Sequence, residues 1–207
     1  MVITKNTNSG NFIMEKARLP APGKNHRIPK VIHYCRFGRR AMGEREKACI
    51  ESWKEHCPGY DLKMWSENNY YLSLTPLYVR QAYEARKYDF VSGYARLDII
   101  YQHGGFYLDT NVLLRQSLDS FLKYRAVFGY LSRNEINIGL GFGSVAGNKD
   151  LPEQMRRYGQ AEFPNGGENS LFACSDYTTD YYRLKRMNTD FSLKLINDTL
   201  FLPTGFI

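Results

Sequence analysis

The chain has 207 residues, 14% of them aromatic, and a formal net charge of +7. A chain of this length buries roughly 70% of its unfolded surface, so it holds a core without disulfide or metal staples. No apolar run reaches the ~18 residues of a membrane span, the N-terminus lacks the apolar stretch of a secretory leader, and Cys35, Cys49, Cys57 and Cys174 form neither a CxxC pair nor a zinc spacing.

These features point to reduced thiols and a cytoplasmic protein. The basic surplus suits an anionic partner: a nucleotide diphosphate, a membrane surface or nucleic acid. No Arg-rich helix or RNP-like motif supports the last, so nucleic acid is set aside.

Residues 1–27 are polar and aperiodic and read as a flexible tail. Val31 to Cys35 is a short β-branched and aromatic run, the first strand. Arg36-Phe37-Gly38 and Gly43 form a loop. Glu44 to His56 reads as a helix with Cys49, Ile50 and Trp53 on one side, and Cys57-Pro58-Gly59 ends it. Asp61 to Trp65 alternates as a second strand. A helix over 76–86 starts at Pro76, taken as its first helical position. Another covers 90–102, with Gly93, Arg96 and Ile100 on one face.

Gly104 and Gly105 break that helix. Gly104 can take the left-handed conformation that ends a helix, and Gly105 lets the chain turn. Phe106 to Leu114 reads as a buried strand, on which Tyr107, Asp109 and Asn111 share one face. An acid and an amide pointing the same way from a buried strand are costly unless they bind something. Two readings stand: Asp109 caps a loop where the strand ends, or it joins a divalent-metal and sugar-nucleotide site built of hard oxygen ligands.

Further on, 117–124 reads as a short helix and 126–131 as a strand. Residues 137–143 alternate glycine with apolar residues, which suits a segment that another backbone or a ligand approaches closely. A helix over 151–158, a loop at 165–168, a mixed stretch over 170–186 and a last strand over 200–202 complete the chain. Strands alternate with helices, so the class is α/β with a largely parallel sheet.

Three pieces stand in order: Ile28-Pro29-Lys30-Val31-Ile32-His33-Tyr34-Cys35, then Phe90-Val91-Ser92-Gly93-Tyr94-Ala95-Arg96-Leu97-Asp98, then Gly104 to Val112. Together with Asn137-Ile138-Gly139-Leu140-Gly141-Phe142-Gly143, they resemble the glycosyltransferases with a DXD-motif sugar-binding region. That group includes capsular polysaccharide synthesis enzymes and initiating mannosyltransferases. The resemblance runs from about Ile28 to the C-terminus. It implies a GT-A-type, Rossmann-like mixed sheet flanked by helices, in a single domain over 28–207. It also implies a UDP- or GDP-sugar donor, Mn²⁺ or Mg²⁺, a glycan or lipid-linked acceptor, and transfer with retention. Work at the inner face of a membrane, through peripheral association, is compatible with it.

The same resemblance assigns roles. Ile32, His33, Tyr34 and Arg36 hold the nucleotide base. The helix face of Gly93 and Arg96 meets the donor sugar and phosphate. Tyr107 and Asp109 lie on the donor strand, Asp109 and Asn111 bind metal, and Asn137 lies on the acceptor side. Asp109 and Arg96 are the catalytic candidates. The chemistry needs these residue types: a cation neutralises the leaving diphosphate, and an Arg fork matches its oxygens.

Plainer readings accompany these. His33 also reads as a satisfied buried histidine, and Arg96 as a partner of Asp98 or Asp89. Asp98, Trp53, Trp65 and Cys35 read as structural, and the cations over 36–45 as solvated. The sequence also departs from the family. Gly93 and Asn111 stand where an Asp is usual, and Arg36 where a Trp often stacks on the base. Pro203 to Ile207 ends the chain before the segment with which family members close over the phosphates. An alternative is therefore a weak or inactive relative that binds nucleotide or glycan without turnover.

Overall fold

The computed structural model describes residues 19–23, 27–132, 135–161, 163, 173–184 and 193–203. Strand β1 (Val31–Cys35), helix α1 (Glu44–His56) and strand β2 (Asp61–Trp65) have the bounds that the sequence pattern predicts. Helix α2 (Leu77–Glu84) follows a 3₁₀ turn at Leu72–Leu74, and Pro76 sits just outside it as the N-cap. Helix α3 (Tyr88–His103) leads into strand β3 (Gly105–Leu108). Strands β4 (Ala126–Ser132), β5 (Glu135–Ile136) and β6 (Gly141–Ser144) come next. Helices α4 (Asp150–Gln160) and α5 (Ala173–Leu184) precede the hairpin of β7 (Lys194–Ile196) and β8 (Thr199–Leu202).

The sheet order is β2-β1-β3-β6-β4-β8-β7, with β5 pairing β4. Strands β2, β1, β3, β4 and β8 point the same way, and β6 and β7 run against them. The sheet is thus mixed, with mostly parallel strands. Alternation along the strands divides the core between two faces. Phe106, Leu108, Val127, Leu200 and Leu202 pack with Cys49, Ile50 and Trp53 of α1. Tyr107, Phe128, Phe142 and Phe201 pack with Tyr94 and Leu97 of α3 and with Leu151 and Tyr158 of α4. The chain leaves β1 for α1 on one face and returns to β3 through α3 on the other. The carboxyl ends of β1 and β3 therefore form a topological switch point, where open α/β sheets take their ligands.

Several expectations change in detail. The strand read over 106–114 stops at Leu108. The helix read over 117–124 is a 3₁₀ turn at Asp119–Phe121. The mixed stretch over 170–186 contains α5, and the loop read at 165–168 lies outside the described residues. Within the stretch read as a flexible tail, residues 19–23 are seated on the body. Leu19 packs against the α1-side core. Tyr124 Oη donates to the Pro20 carbonyl at 2.6 Å, and the Gly23 N–H donates to Asp198 Oδ1 at 2.6 Å.

The glycine pair is needed for space as well as for dihedrals. Gly104 ends α3 at φ 65° and Gly105 opens β3 at φ 101°. A Cβ on Gly105 would lie 2.7 Å from the Val31 carbonyl oxygen and 3.1 Å from His33 Nε2. The glycines read over 137–143 as a close approach are borne out too. A Cβ on Gly141 would meet the Tyr107 oxygen at 2.9 Å, and one on Gly143 would overlap the Phe106 ring. Gly105→Ala should cost about 3 kcal/mol or more, combining a strained φ with overpacking. Gly147→Ala, at φ 66° with nothing within 4 Å, should cost about 1–2 kcal/mol for the dihedral alone. Urea unfolding of both variants checks this; equal losses would mean that the close approach to β1 is unimportant.

Candidate functional site

A cleft of about 520 Å³ opens at the switch point. Its walls are the loop after β1 (Cys35, Arg36, Phe37, Arg39, Arg40), the segment after β2 (Ser66, Glu67, Asn68), the start of α3 (Asp89, Phe90, Ser92) and the turn after β3 (Asp109, Thr110, Asn111). Arg86, Lys87 and Tyr88 close one side. Arg39 (φ 55°) and Arg86 (φ 59°) are held in the left-handed region, which is unusual for residues with a Cβ. Both line the cleft, and such strained residues cluster at ligand sites.

Asp109 stands where β3 gives way to a turn. Its N–H donates to the Leu140 carbonyl at 2.8 Å. Its Oδ1 accepts from the Asn111 backbone N–H at 2.9 Å and from Asn111 Nδ2 at 3.0 Å. This local bond competes with a strand ladder and explains why β3 ends early. The loop-capping reading therefore holds, and it does not remove the residues from the cleft. Turning Nδ2 toward Asp109 leaves Asn111 Oδ1, like Asp109 Oδ2, without a protein hydrogen bond among the described residues.

The turn is fixed from α1. Thr110 Oγ1 donates to Glu46 Oε1 at 3.0 Å. Trp53 Nε1 donates to the Val112 carbonyl at 2.8 Å, and Ser52 Oγ accepts from the Leu114 N–H at 3.0 Å. Glu46 is 5% exposed. It accepts two bonds from Arg40, at 3.0 and 2.6 Å, and one from the Gly43 N–H at 2.9 Å. Burial pushes its carboxyl up, but the bonds from Gly43, Arg40 and Thr110 outweigh that and hold it below the ordinary glutamate range. Glu46 was not singled out from the sequence. A Glu three residues into a helix, after a glycine cap, was the available signal.

Of the residues named from sequence, the structure brings Arg36, Asp109 and Asn111 together in the cleft. Arg36 Nη2 donates to the Arg40 carbonyl at 2.9 Å, and its Nε lies 4.0 Å from Glu46. The others lie outside the lining. Ile32 is fully buried in the α1-side core. Tyr34 packs edge-on against Trp53 at 5.5 Å. Gly93 is buried within α3, where its neighbour Ser92 reaches the cleft. Asn137 is buried and shapes a turn: its Oδ1 accepts from the Leu140 N–H at 3.1 Å.

Arg96 and Tyr107 stand behind the cleft wall. The Arg96 guanidinium lies 4.7 Å over the Tyr107 ring. Its Nη1 donates to the carbonyls of Ile138 at 2.8 Å and Gly139 at 2.6 Å, and its Nε to Ser92 at 2.9 Å. Arg96 thereby grips the turn whose next carbonyl, Leu140, holds Asp109. This geometry gives it a positioning role.

His33 is 1% exposed. Trp65 Nε1–H donates to its Nδ1 at 3.0 Å, so the ring proton sits on Nε2 and donates to the Gly104 carbonyl at 3.0 Å. Burial lowers its pKa to about 4, and His103 and Lys63 act the same way. It is a satisfied structural imidazole.

A mixed sheet with an arginine-lined cleft at this switch point places the chain among the open α/β proteins that take ligands there. Residues 43–128 match the family described as "Glycosyltransferase sugar-binding region containing DXD motif". The match to that family's sugar-binding region bears out the resemblance read from the sequence. A curated relative, Inositol phosphoceramide mannosyltransferase 1 of Schizosaccharomyces pombe, is 27% identical over 112 residues, covering 49% of this chain and 34% of the relative. The match spans about a third of that relative's length. Among solved structures, "PaToxG Glycosyltransferase" superposes with a TM-score of 0.59 at 16% identity, over 78% of this chain and 70% of that one. The fold is thus GT-A-like. A glycosyltransferase involved in the glycosylation of the major capsid of PBCV-1 aligns at a TM-score of 0.44 and 13% identity, over 84% and 82% of the two chains.

Two outcomes follow from the buried pair behind the cleft. His33 stays neutral in the fold but gains a proton near pH 6.5 when unfolded. The unfolded chain therefore binds more protons between about pH 6.5 and 4, and stability must fall as pH falls through that window, by about 3 kcal/mol at most. Urea unfolding across pH 7 to 4 reads this, and imidazole NMR shifts of His33 should not move until well below pH 6. Arg96→Lys keeps the charge but loses the fork. It should cost about 1.5–3 kcal/mol, the scale of hydrogen bonds to a charged group, and loosen amide protection over 137–140. A variant as stable as the parent would remove the clamp from the account.

Proposed function

We propose that this chain is a glycosyltransferase of the hexosyl type that binds a UDP- or GDP-sugar in the switch-point cleft and transfers the sugar, with retention, to a glycan or lipid-linked acceptor. The observation that carries this is the Asp109–Asn111 turn, clamped at the mouth of a cleft rich in Arg and Lys. The sugar-binding region over 43–128 supports it. The mannosyltransferase relative, named for an inositol phosphoceramide, supports a hexose donor and a lipid-linked acceptor. No helix among the described residues is long and apolar enough to cross a membrane, and the +7 charge suits a cytoplasmic protein working peripherally at the inner leaflet.

Families with this motif generally use a divalent cation. The donor set here fits one: Asp109 Oδ2 and Asn111 Oδ1 are hard oxygens of one turn, and diphosphate and water would supply the remaining ligands of Mn²⁺ or Mg²⁺. When bound, such a cation neutralises charge on the leaving diphosphate. Arg36, Arg39, Arg40, Arg86 and Lys87 surround the same space and attract and orient the diphosphate. Glu46 and Thr110 keep the turn in place.

A second reading is favoured by the same atoms: a weak or inactive relative. Asn111 brings oxygen without charge, Gly93 brings no carboxylate, and Asp109 Oδ1 is already taken by two N–H groups. Among the described residues no three His, Cys, Asp or Glu side chains converge. Calorimetry with UDP and GDP, with and without Mn²⁺, tests the binding site, and a donor-hydrolysis assay separates the two readings.

Asp109→Asn keeps the turn acceptor but not the charge. It should lower Mn²⁺-dependent nucleotide affinity ~10–100-fold with little change in thermal midpoint, while Asn111→Asp should raise metal affinity by a similar factor. Unchanged affinity in Asp109→Asn would remove the metal assignment.

A further inference from the structure

A second cleft, of about 510 Å³, shares no lining residue with the first. It lies between the edge strand β2 and the last turns of α3. Asp89, Phe90 and Ser92, at the start of α3, face the first cleft; Asp98, Gln102 and His103, near its end, face the second. Along α3 the change from the first cleft to the second falls between Ser92 and Tyr94. The glycosyltransferase reading does not use this space.

Its chemistry differs from that of the first cleft, whose lining is crowded with charged side chains of both signs. Tyr70, Tyr94 and Trp65 form an aromatic floor. Tyr71, 76% exposed, and Leu74, 83% exposed, stand at the rim, with Leu77 beyond them at 60%. These exposed apolar side chains follow one another in the chain and gather at one opening, the pattern of a binding surface. Lys63 Nζ lies 4.5 Å over the Trp65 ring, and the polar groups beside Tyr70 are planar. Asp98 Oδ2 accepts from Tyr70 Oη at 2.8 Å and its Oδ1 from Gln102 Nε2 at 2.7 Å. A carboxylate has about four acceptor sites, so two remain for incoming hydroxyls, and these two bonds fix its orientation.

The charges balance. Asp98 and Lys63 are the lining groups that carry full charge, of opposite sign. Burial and Lys63 keep the His103 pKa below its ordinary value against the pull of Asp98, so its ring is neutral near pH 7. A cleft with no net charge, flat rings and oriented planar acceptors does not select phosphate. It matches a neutral polyhydroxylated ligand, which offers C–H faces to rings and hydroxyl edges to carboxylates and amides.

We propose that this edge cleft binds a neutral hexose oligosaccharide, making it a glycan-holding site separate from the donor cleft. Tyr71 stacks on one sugar ring, and Asp98 and Gln102 take hydroxyls of the same unit. A glycan held there keeps its chain on the protein while its other end is free.

The test uses the whole chain with maltotriose and mannotriose as probes, followed by calorimetry and tryptophan fluorescence. The chain has two tryptophans. Trp65 lines this cleft, while Trp53 is fully buried in the α1-side core. The expected result is saturable binding of at least one trisaccharide, with a change in Trp65 emission that is lost in Trp65→Phe. Tyr71→Ala, on an exposed side chain, should weaken it about tenfold, the scale of one aromatic stacking contact. Binding should persist in the presence of UDP or GDP with Mn²⁺, and also if the chain fails to bind nucleotide, so the two proposals fail separately. Absence of saturable binding, displacement by nucleotide and Mn²⁺, or unchanged affinity in Tyr71→Ala would each overturn the proposal. So would binding to phospholipid vesicles through Tyr71 and Leu74 without any response to saccharide.

Discussion

The buried carboxylate of Glu46 is the constraint on which the cleft depends. A charge 5% exposed is tolerated only when it is paired and hydrogen-bonded. Its partners come from three places in the chain: Arg40 in the loop after β1, Gly43 at the start of α1, and Thr110 in the turn after β3. Satisfying one carboxylate therefore fixes the two loops that face each other across the switch point. Arg96 does the same from the other face of the sheet, holding the Ile138 and Gly139 carbonyls beside the one that anchors Asp109. The acid and the amide are thus presented by a turn that is held from both sides of the sheet.

Much of this was legible in the sequence where local rules decide. The first strand, first helix and second strand have their predicted bounds because alternation, a one-sided apolar stripe and the Cys57-Pro58-Gly59 stop all agree. The glycine pair was legible because few sequences other than glycine allow those dihedrals. Long-range pairing was not. Nothing near Arg96 announces that carbonyls more than forty residues later will fill its fork. His33 was read with a structural alternative, but its partners, Trp65 and the Gly104 carbonyl, come from other elements. The strand after the glycines was drawn too long because Asp109 bonds Asn111 locally, and β6 starts only at Gly141, beside Leu108.

Function was legible in the same uneven way. The order of three motifs carried the resemblance, and the match over 43–128 contains the second and third of them. The motifs marked Asp109, Asn111 and Arg36, but not Glu46 in the first turn of α1 or Arg39, Arg40, Arg86 and Lys87, which belong to loops without periodicity. The two clefts also divide the chemistry of the protein. One is densely charged, with strained arginines and hard oxygens. The other is neutral, aromatic and at the sheet edge. Helix α3 lines one with residues up to Ser92 and the other with residues from Tyr94 onward, so a single element stands between them.

The central claim is that the Asp109–Asn111 turn is where cation and diphosphate meet. The most direct measurement is anomalous scattering from crystals soaked with Mn²⁺ and UDP or GDP. The account predicts one manganese peak within about 2.6 Å of oxygens of Asp109 and Asn111, with the diphosphate on its far side among Arg36, Arg39 and Arg40. A nucleotide bound in the cleft with manganese elsewhere, or manganese bound without contact to Asp109, would contradict it.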